Sequence, residues 1–409
     1  MKIASVLLAS AIAFASSSAQ PSSPPGKNVP IRPLGAVEAI SNDTLGQRIV
    51  TRGLSDGRVL VGVFPYGLPN PDPNRRRVKL FDKSLQSFQL VRDSSQIPTL
   101  IRFTGDSTLI LDVQSRALLV LDPGGKIART MALPKTQDFS ALQGFIHIPA
   151  IDPQGRLVYQ GNTPQPPQRG PNALPFQLPF FPDSAPIVRA NFDTRTIDTV
   201  AKIRIVRQAT LTVKPEGVNY VAKVVAELLS WADEWTMLPD GTIAIVRGQD
   251  YHIDWYAPDG TKSSTPKMPF DWRRITDEEK KHAIDSIGPI LDSARTQMQP
   301  QTFQTPDGVQ SRITITFEAP PMSALPDYES PIGPGSVRAD LDGNVWIVPR
   351  TSAAAQGGLL YDVVNRKGEL VERVQFPKGV ALVGFGPGGV VYLNRIEGNA
   401  GFLQRAKIR

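Results

Sequence analysis

The stretch LPDGTIAIV (residues 238–246), followed by WYAPDG (255–260), decides how this chain is read. An Asp-Gly pair between two apolar runs is a tight-turn signal, because glycine supplies the positive φ that such turns demand. Thr242–Arg247 therefore reads as a strand leaving the first turn. His252–Ala257 reads as a third strand ending in a second turn, and Ser263–Met268 as a fourth. One unit is thus a four-stranded antiparallel meander.

The same pattern recurs along the chain. First turns stand at Ser55-Asp56-Gly57, Gly105-Asp106-Ser107, Pro153-Gln154-Gly155, Pro239-Asp240-Gly241, Leu341-Asp342-Gly343 and Pro387-Gly388-Gly389. Apolar strands follow at Arg58–Val63, Thr108–Val113, Arg156–Gln160, Asn344–Val348 and Val390–Asn394. Third strands are expected at Val78–Asp82, Leu118–Asp122, Pro186–Asp193, Leu359–Val364 and Phe402–Lys407. Fourth strands fit Phe88–Asp93, Ile127–Leu133, Ile197–Ile203 and Leu370–Phe376, but the sixth copy runs out of chain at Arg409. Leu34–Ser41, ahead of the first copy, has the length and alternation to supply it. Closure by that strand covers an otherwise open sheet edge, and it separates a circular array from a linear β-solenoid. The expectation is an all-β fold, a six-bladed β-propeller closed by its N-terminal strand. Over residues 34–409 the spacing resembles the NHL and TolB-like propellers. That group holds binding modules, hydrolases and lyases, so the resemblance does not fix a function.

Three regions break the spacing. Gly161–Ala185 is rich in Pro, Gln and Phe, and Leu211–Ser230 has no clear period. Residues 271–330 separate the fourth and fifth units. Within them Thr276 and Glu279 form a capping-box pattern, with Ile284, Ile287, Ile290 and Leu291 at helical spacing. This predicts a helix over Thr276–Gln297, or two short ones broken near Gly288-Pro289, inserted between blades 4 and 5.

The N-terminus reads as an export signal over residues 1–19: Lys2, an apolar Ile3–Ala15, and small residues up to Ala19. Residues 20–33 then form a Pro/Ser-rich tether, and 34–409 a single domain. Removal of 19 residues leaves 409 − 19 = 390 and lowers the net charge from +7 to +6, one lysine being lost. The expected location is periplasmic or secreted, with no transmembrane segment in the mature chain. The chain has no cysteine, so a lipid-anchored lipobox, disulfides and thiolate metal sites are excluded. The basic cluster Arg75-Arg76-Arg77 is short and lies in a Pro/Asn-rich loop, so no nucleic-acid partner is expected.

No nucleophile elbow, zinc helix, P-loop or dinucleotide fingerprint occurs. The histidines are His147, His252 and His282. Resemblance to the gluconolactonase and regucalcin branch implies a divalent cation such as calcium in the central channel. The acids at the inner-strand starts are only Asp233 and Glu234, with Asn162 and Asn394 as neutral donors. That supply is thin for a hard cation needing about six oxygens, and no cofactor is expected beyond that ion. Arginines give a sharper lead. Counting five residues back from each turn glycine meets Arg52, Arg102 and Arg338. Counting six or seven forward meets Arg247, Arg350 and Arg395. Equal distances from a hairpin turn lie side by side, so these six are expected at one rim, away from the Asp-Gly turns. Converging guanidinium groups suit a carboxylate, phosphate or sulfate. The competing reading is an internal network with Asp233, Glu234 and Asp250. Trp231, Trp235, Tyr251, Trp255, Tyr256, Phe270 and Trp272 cluster in the fourth unit, chiefly as packing and alternatively as a stacking face. The function expected is binding of a small anionic ligand or an envelope protein. The alternative is a metal-assisted lactonase-type hydrolase or a lyase using Asp233, Glu234 and His147.

Overall fold

The computed structural model describes residues 29–64, 76–94, 99–112, 114–135, 139–142, 149–163, 178–305, 308–354 and 357–408. The export signal, most of the tether, most of Gly161–Ala185 and His147 lie outside them. Two strands open the described chain, β1 (Ile31–Pro33) and β2 (Val37–Ile40). The first sheet holds β3 (Ile49–Gly53), β4 (Val59–Val63), β5 (Arg76–Phe81) and β6 (Phe88–Ser94). The second holds β7 (Ile101–Arg102), β8 (Thr108–Asp112), β9 (Ala117–Leu121) and β10 (Ile127–Ala132). After a short helix α1 (Phe139–Leu142), the third holds β11 (Ala150–Ile151), β12 (Leu157–Gln160), β13 (Ser184–Ala190) and β14 (Ile197–Arg204).

A hairpin, β15 (Ala209–Glu216) and β16 (Asn219–Ala226), precedes the fourth sheet. That sheet is β17 (Glu234–Met237), β18 (Ile243–Arg247), β19 (His252–Tyr256) and β20 (Lys262–Ser264). Helices α2 (Asp277–Ser286) and α3 (Gly288–Gln297) follow, then β21 (Gln301–Gln304) and β22 (Gln310–Glu318). The fifth sheet is β23 (Val337–Ala339), β24 (Val345–Ile347), β25 (Leu360–Val364) and β26 (Leu370–Gln375). The last is β27 (Val380–Gly386), β28 (Val390–Glu397), β29 (Ala400–Lys407) and, antiparallel to β29, the N-terminal β2. The expected closing pair therefore forms.

The turn chemistry read from the sequence is present. Gly241 has φ +87°, and its amide donates to the Leu238 carbonyl at 2.9 Å, closing the 238–241 turn. Alternation along the strands sends one set of apolar side chains forward and the other back, and both sets are buried. Val50, Leu54 and Leu60 of the first sheet pack with Leu100, Ile110 and Leu121 of the second. Ile101, Leu109 and Leu111 meet Leu157, Tyr159 and Val188 of the third. Val158 and Ile187 meet Trp235, Ile243 and Ile245 of the fourth. Ala244, Val246 and Ile253 meet Val337, Val345 and Ile347 of the fifth. Trp346, Tyr361 and Val363 meet Val380, Leu382 and Val391 of the last. Finally Ile49, Val59 and Val61 of the first sheet meet Tyr392 and Leu403 of the last. The packing is thus cyclic. At the final junction the backbones approach closely: a Cβ on Gly53 would stand 2.9 Å from the Gly386 Cα, and Thr51 Oγ1 donates to the Val383 carbonyl at 3.0 Å.

Three local expectations are corrected. Residues 31–33, assigned to the tether, form β1, which runs parallel to β26. Arg32 anchors it, donating through Nε and Nη2 to Glu372 and through Nη1 to the Ile408 carbonyl at 2.6 Å. Proline is tolerated there because β1 is an edge strand. The fourth strand of the fourth unit ends at Ser264 instead of Met268, since Pro266 removes a donor; only Thr265 and Met268 continue to bond back, to Ile253 and Tyr251. The aperiodic Leu211–Ser230 and the segment 271–330 build one extra sheet together, ordered β15-β16-β22-β21, in which β16 and β22 run parallel. Helix α3 packs Leu291 and Ala294 against Ala209, Val224 and Phe317 of that sheet. The aperiodicity was a consequence of a partner strand almost a hundred residues away. The helix break near Gly288-Pro289 is where the sequence placed it, and Thr276 and Glu279 make both capping-box bonds.

Candidate functional site

The six arginines do not gather at one rim. Arg52 pairs with Leu60 and Arg338 with Trp346, so these hairpins are centred on residues 56 and 342, one residue before the turn glycines. Five residues back from a glycine is therefore four from the centre, whereas six forward is seven. For Arg247 and Arg395 the offset of three residues is about 10 Å along the strands and reverses the side-chain face; Arg350, eight from its centre, lies beyond β24 in a 3-10 turn. Arg52, Arg102 and Arg338 stand towards the Asp-Gly turns; Arg247, Arg350 and Arg395 stand at the far ends.

The far-end arginines are individually accounted for. Arg247 donates through Nε to Asp254 and through Nη1 to Asp233, both at 2.7 Å. Burial opposes its charge, but these two carboxylates hold its pKa above the usual guanidinium range. Asp233 also accepts the amides of Arg204 at 2.8 Å and Gly248 at 3.1 Å. Its oxygens are therefore engaged by protein donors. Glu234 accepts the Gly335 amide at 2.8 Å, which ties β17 to the loop entering the fifth sheet. Among the described residues no three His, Cys, Asp or Glu side chains group as a metal site. Arg350 donates to the Ile332 carbonyl at 3.1 Å, and exposed Arg395 pairs with Glu397 at 2.5 Å.

His252 sits between Asp250 (Nδ1 to Oδ1, 2.6 Å) and Asp254 (Nε2 to Oδ1, 3.3 Å), at the solvent end of the Arg247 network. His282 lies on α2. Asn162 donates to Ser140 at 3.3 Å, and Asn394 to the Gln47 carbonyl at 2.9 Å. The acid network with Asp233, weighed against an anion rim in reading the sequence, is thus the environment of Arg247.

The turn-end arginines are different. Val50 and Leu54, which share a face with Arg52, point into the core between the first and second sheets. Arg52 follows them, and its Nη2 donates to the Ser107 carbonyl at 2.9 Å and the Gly105 carbonyl at 3.3 Å. Its side chain is 5% exposed, yet Nε and Nη1 have no hydrogen-bond partner. Ile101 of β7 points forward to the third sheet, so its neighbour Arg102 points back towards the first. Burial and then the nearby Arg102 lower the Arg52 pKa to about 10, and Asp106 offsets part of this. Asp106 itself accepts the Ser55 amide at 3.0 Å and stays below the ordinary carboxylate range: burial opposes this, and Ser55 with the two arginines prevails. Although Asp106 belongs to an Asp-Gly-type turn, it stands beside Arg52 and Arg102. The charges of two guanidinium groups thus act on one carboxylate, and two nitrogens of the buried Arg52, with three N–H bonds between them, are unanswered. A buried unmet donor costs about 1–3 kcal/mol, more when charged. Arg338 occupies the equivalent position in the fifth sheet, where burial also lowers its pKa, near Tyr361 and Glu234.

No protein-family model and no curated protein matches this sequence. Among solved structures the chain is similar to TolB from Acinetobacter baumannii, at 11% identity and TM-score 0.38, over 87% of this chain and 65% of that one. It spans, in other words, less than two thirds of that TolB chain. It is similar to regucalcin, a calcium-binding protein of Agrobacterium tumefaciens, at 10% identity and TM-score 0.39, over 93% and 97% of the two chains. A gluconolactonase of Xanthomonas campestris matches at 10% identity and TM-score 0.38, over 95% and 100%. Among the described residues no helix is long and apolar enough to cross a membrane.

Proposed function

We propose that this chain is a six-bladed β-propeller, closed by β2, that binds a small anionic ligand between its first two blades. The cyclic run of inter-sheet cores and the β2–β29 pair support the blade count. Helices α2 and α3 with β21 and β22 are an insertion between blades 4 and 5, joined in one sheet by the β15–β16 hairpin inserted between blades 3 and 4. In such a ring the first strand of each blade lines the central channel, so Arg52 and Arg102 stand on channel-lining strands.

The observation that carries the reading is the unmatched guanidinium of Arg52. A carboxylate, phosphate or sulfate seated between Arg52 and Arg102 would accept from the free Nε and Nη1 and neutralise the excess charge. Arg102, which is exposed, is the group an arriving anion meets first. An export signal over residues 1–19 makes this a periplasmic or secreted binding protein. In that role Arg247 belongs to the scaffold.

Thermal unfolding in phosphate, sulfate or citrate, each against chloride at matched ionic strength, tests the reading. A ligand at a hundred times its Kd stabilises by about 2.7 kcal/mol, which is about 3 °C for a chain of 409 residues. Arg102→Gln should abolish that rise. If none of the three anions raises Tm above chloride, or if Arg102→Gln leaves the rise intact, the ligand class or the site is wrong.

A further inference from the structure

Outside the arginine pair, the exit of the fourth sheet carries a feature the proposed site does not use. Four rings form a row from core to surface: Tyr251 to Phe270 at 5.4 Å, Phe270 to Trp272 at 5.2 Å, and Trp272 to Tyr328 at 6.4 Å between centroids. The inner end is fixed, because fully buried Tyr251 donates its hydroxyl to Asp362 at 2.7 Å. The outer end is open, with Trp272 42% and Tyr328 52% exposed. These two rings meet edge to face at 84°, so they form a right-angled, partly exposed corner.

The backbone explains why they meet. Arg274 and Tyr328 pair in an antiparallel bridge, flanked by the Ile275 amide on the Asp327 carbonyl and the Glu329 amide on the Arg273 carbonyl, at 2.9 and 3.0 Å. Directly opposite residues share a face, and so do residues two apart. Trp272, Arg274 and Tyr328 therefore stand on one face. Arg273 and Glu329 stand on the other, where Arg273 is answered by Glu329 at 2.9 Å and Glu279 at 2.7 Å. Asp327 hydrogen-bonds Lys280 at 2.8 Å, and its charge also acts on Arg274. Arg274 is exposed and has no hydrogen bond or ion pair among the described residues, and neither has the Trp272 indole N–H.

We infer that Trp272, Arg274 and Tyr328 form a second binding surface, for the carboxylate-bearing sugar units of an acidic polysaccharide. A pyranose offers a flat C–H face to an aromatic ring and hydroxyls to the indole N–H and phenol. Its carboxylate is what the exposed Arg274 guanidinium, on the same face as the two rings, recognises. Rings already held in place by Phe270 and Tyr251 lose little freedom on binding. The surface is independent of the Arg52–Arg102 site and would stand if that site bound nothing.

The test is affinity electrophoresis of the full chain in gels containing polygalacturonate or, as the neutral control, dextran. Polygalacturonate should retard the parent protein and dextran should not. Trp272→Ala should weaken retardation about tenfold. Arg274→Gln should weaken it and flatten its dependence on salt, while Trp272→Phe retains most of it. All three side chains are exposed, so an unchanged Tm shows that the variants fold. Equal retardation by dextran, indifference to both Trp272→Ala and Arg274→Gln, or no retardation of the parent protein would each overturn the inference.

Discussion

Replacing Arg247 with methionine separates scaffold from ligand site at the position where the sequence could not. Methionine keeps an unbranched stem over the β18–β19 hairpin and removes only the charged fork. The loss comprises two charge-assisted hydrogen bonds, to Asp233 and Asp254, and two weaker ones, to the Lys202 carbonyl at 3.2 Å and the Tyr256 hydroxyl at 3.5 Å. Breaking a buried pair from one side costs about 3–5 kcal/mol. Two features reduce that here. Asp233 keeps its bonds from the amides of Arg204 and Gly248, and solvent reaches Arg247 and Asp254, which are 21% and 18% exposed. About 2–3 kcal/mol is therefore expected. Unfolding entropy of about 2.1 cal/mol/K per residue over 409 residues gives about 0.9 kcal/mol/K, so Tm should fall by about 3 °C. A double-mutant cycle with Asp254→Asn should return a coupling of about 1 kcal/mol or more. Any stabilisation by phosphate, sulfate or citrate should be unchanged. A Tm within 1 °C of the parent, or strict additivity in the cycle, would refute the network. Loss of the anion effect alone would return Arg247 to the ligand site.

Further outcomes follow from the same geometry. A Cβ on Gly248 would lie 2.1 Å from the Ala232 carbonyl oxygen, a backbone atom, so Gly248→Ala should cost about 2–4 kcal/mol in urea unfolding. Glu279 lies below the ordinary carboxylate range; burial opposes this, and the Thr276 amide with Arg273 outweighs it. A depressed folded pKa means stability that is present above about pH 4 and lost as pH falls through the lowered value. Glu279→Gln should therefore be less stable than the parent at pH 7, by about 1 kcal/mol or less, and the gap should close towards pH 3. Glu372→Gln weakens the clip on Arg32, a pair whose side chains are 21% and 16% exposed. About 1 kcal/mol is expected, with faster tryptic cleavage at Arg32 as the readout.

What the sequence made legible was local. Each Asp-Gly or Gly-Gly turn fixes its own hairpin through a backbone conformation that glycine supplies. The missing fourth strand of the last unit could therefore be sought in Leu34–Ser41, and Val37–Ile40 is where it lies. The extra sheet was illegible for the converse reason. β16 and β22 pair across residues Tyr220 and Ile313, and neither strand carries a turn signal that points to the other. β1 escaped notice because three residues ending in proline carry no period; what holds them is Arg32 on Glu372, a contact across 340 residues.

The arginines show how a correct inventory can still yield a wrong site. Their residue type, spacing and strand assignments were all readable, yet one residue in the assumed turn centre moved half of them to the opposite end of the sheets. Because side chains alternate, the odd offset of Arg247 and Arg395 also turned those two to the other face, whereas Arg350 left its strand altogether. Arg102 kept company with Arg52 only because its hairpin is centred on residue 105, two before Ser107, with Arg102 opposite Thr108. That difference turns Arg102 back towards the first sheet while Arg52 points forward. The pair thus owes its existence to the irregularity of the Gly105-Asp106-Ser107 turn. A glycine turn of the regular kind, centred one residue later, would reverse the side chain and leave Arg52 alone with Asp106. The proposed site is therefore one that a uniform repeat could not have built.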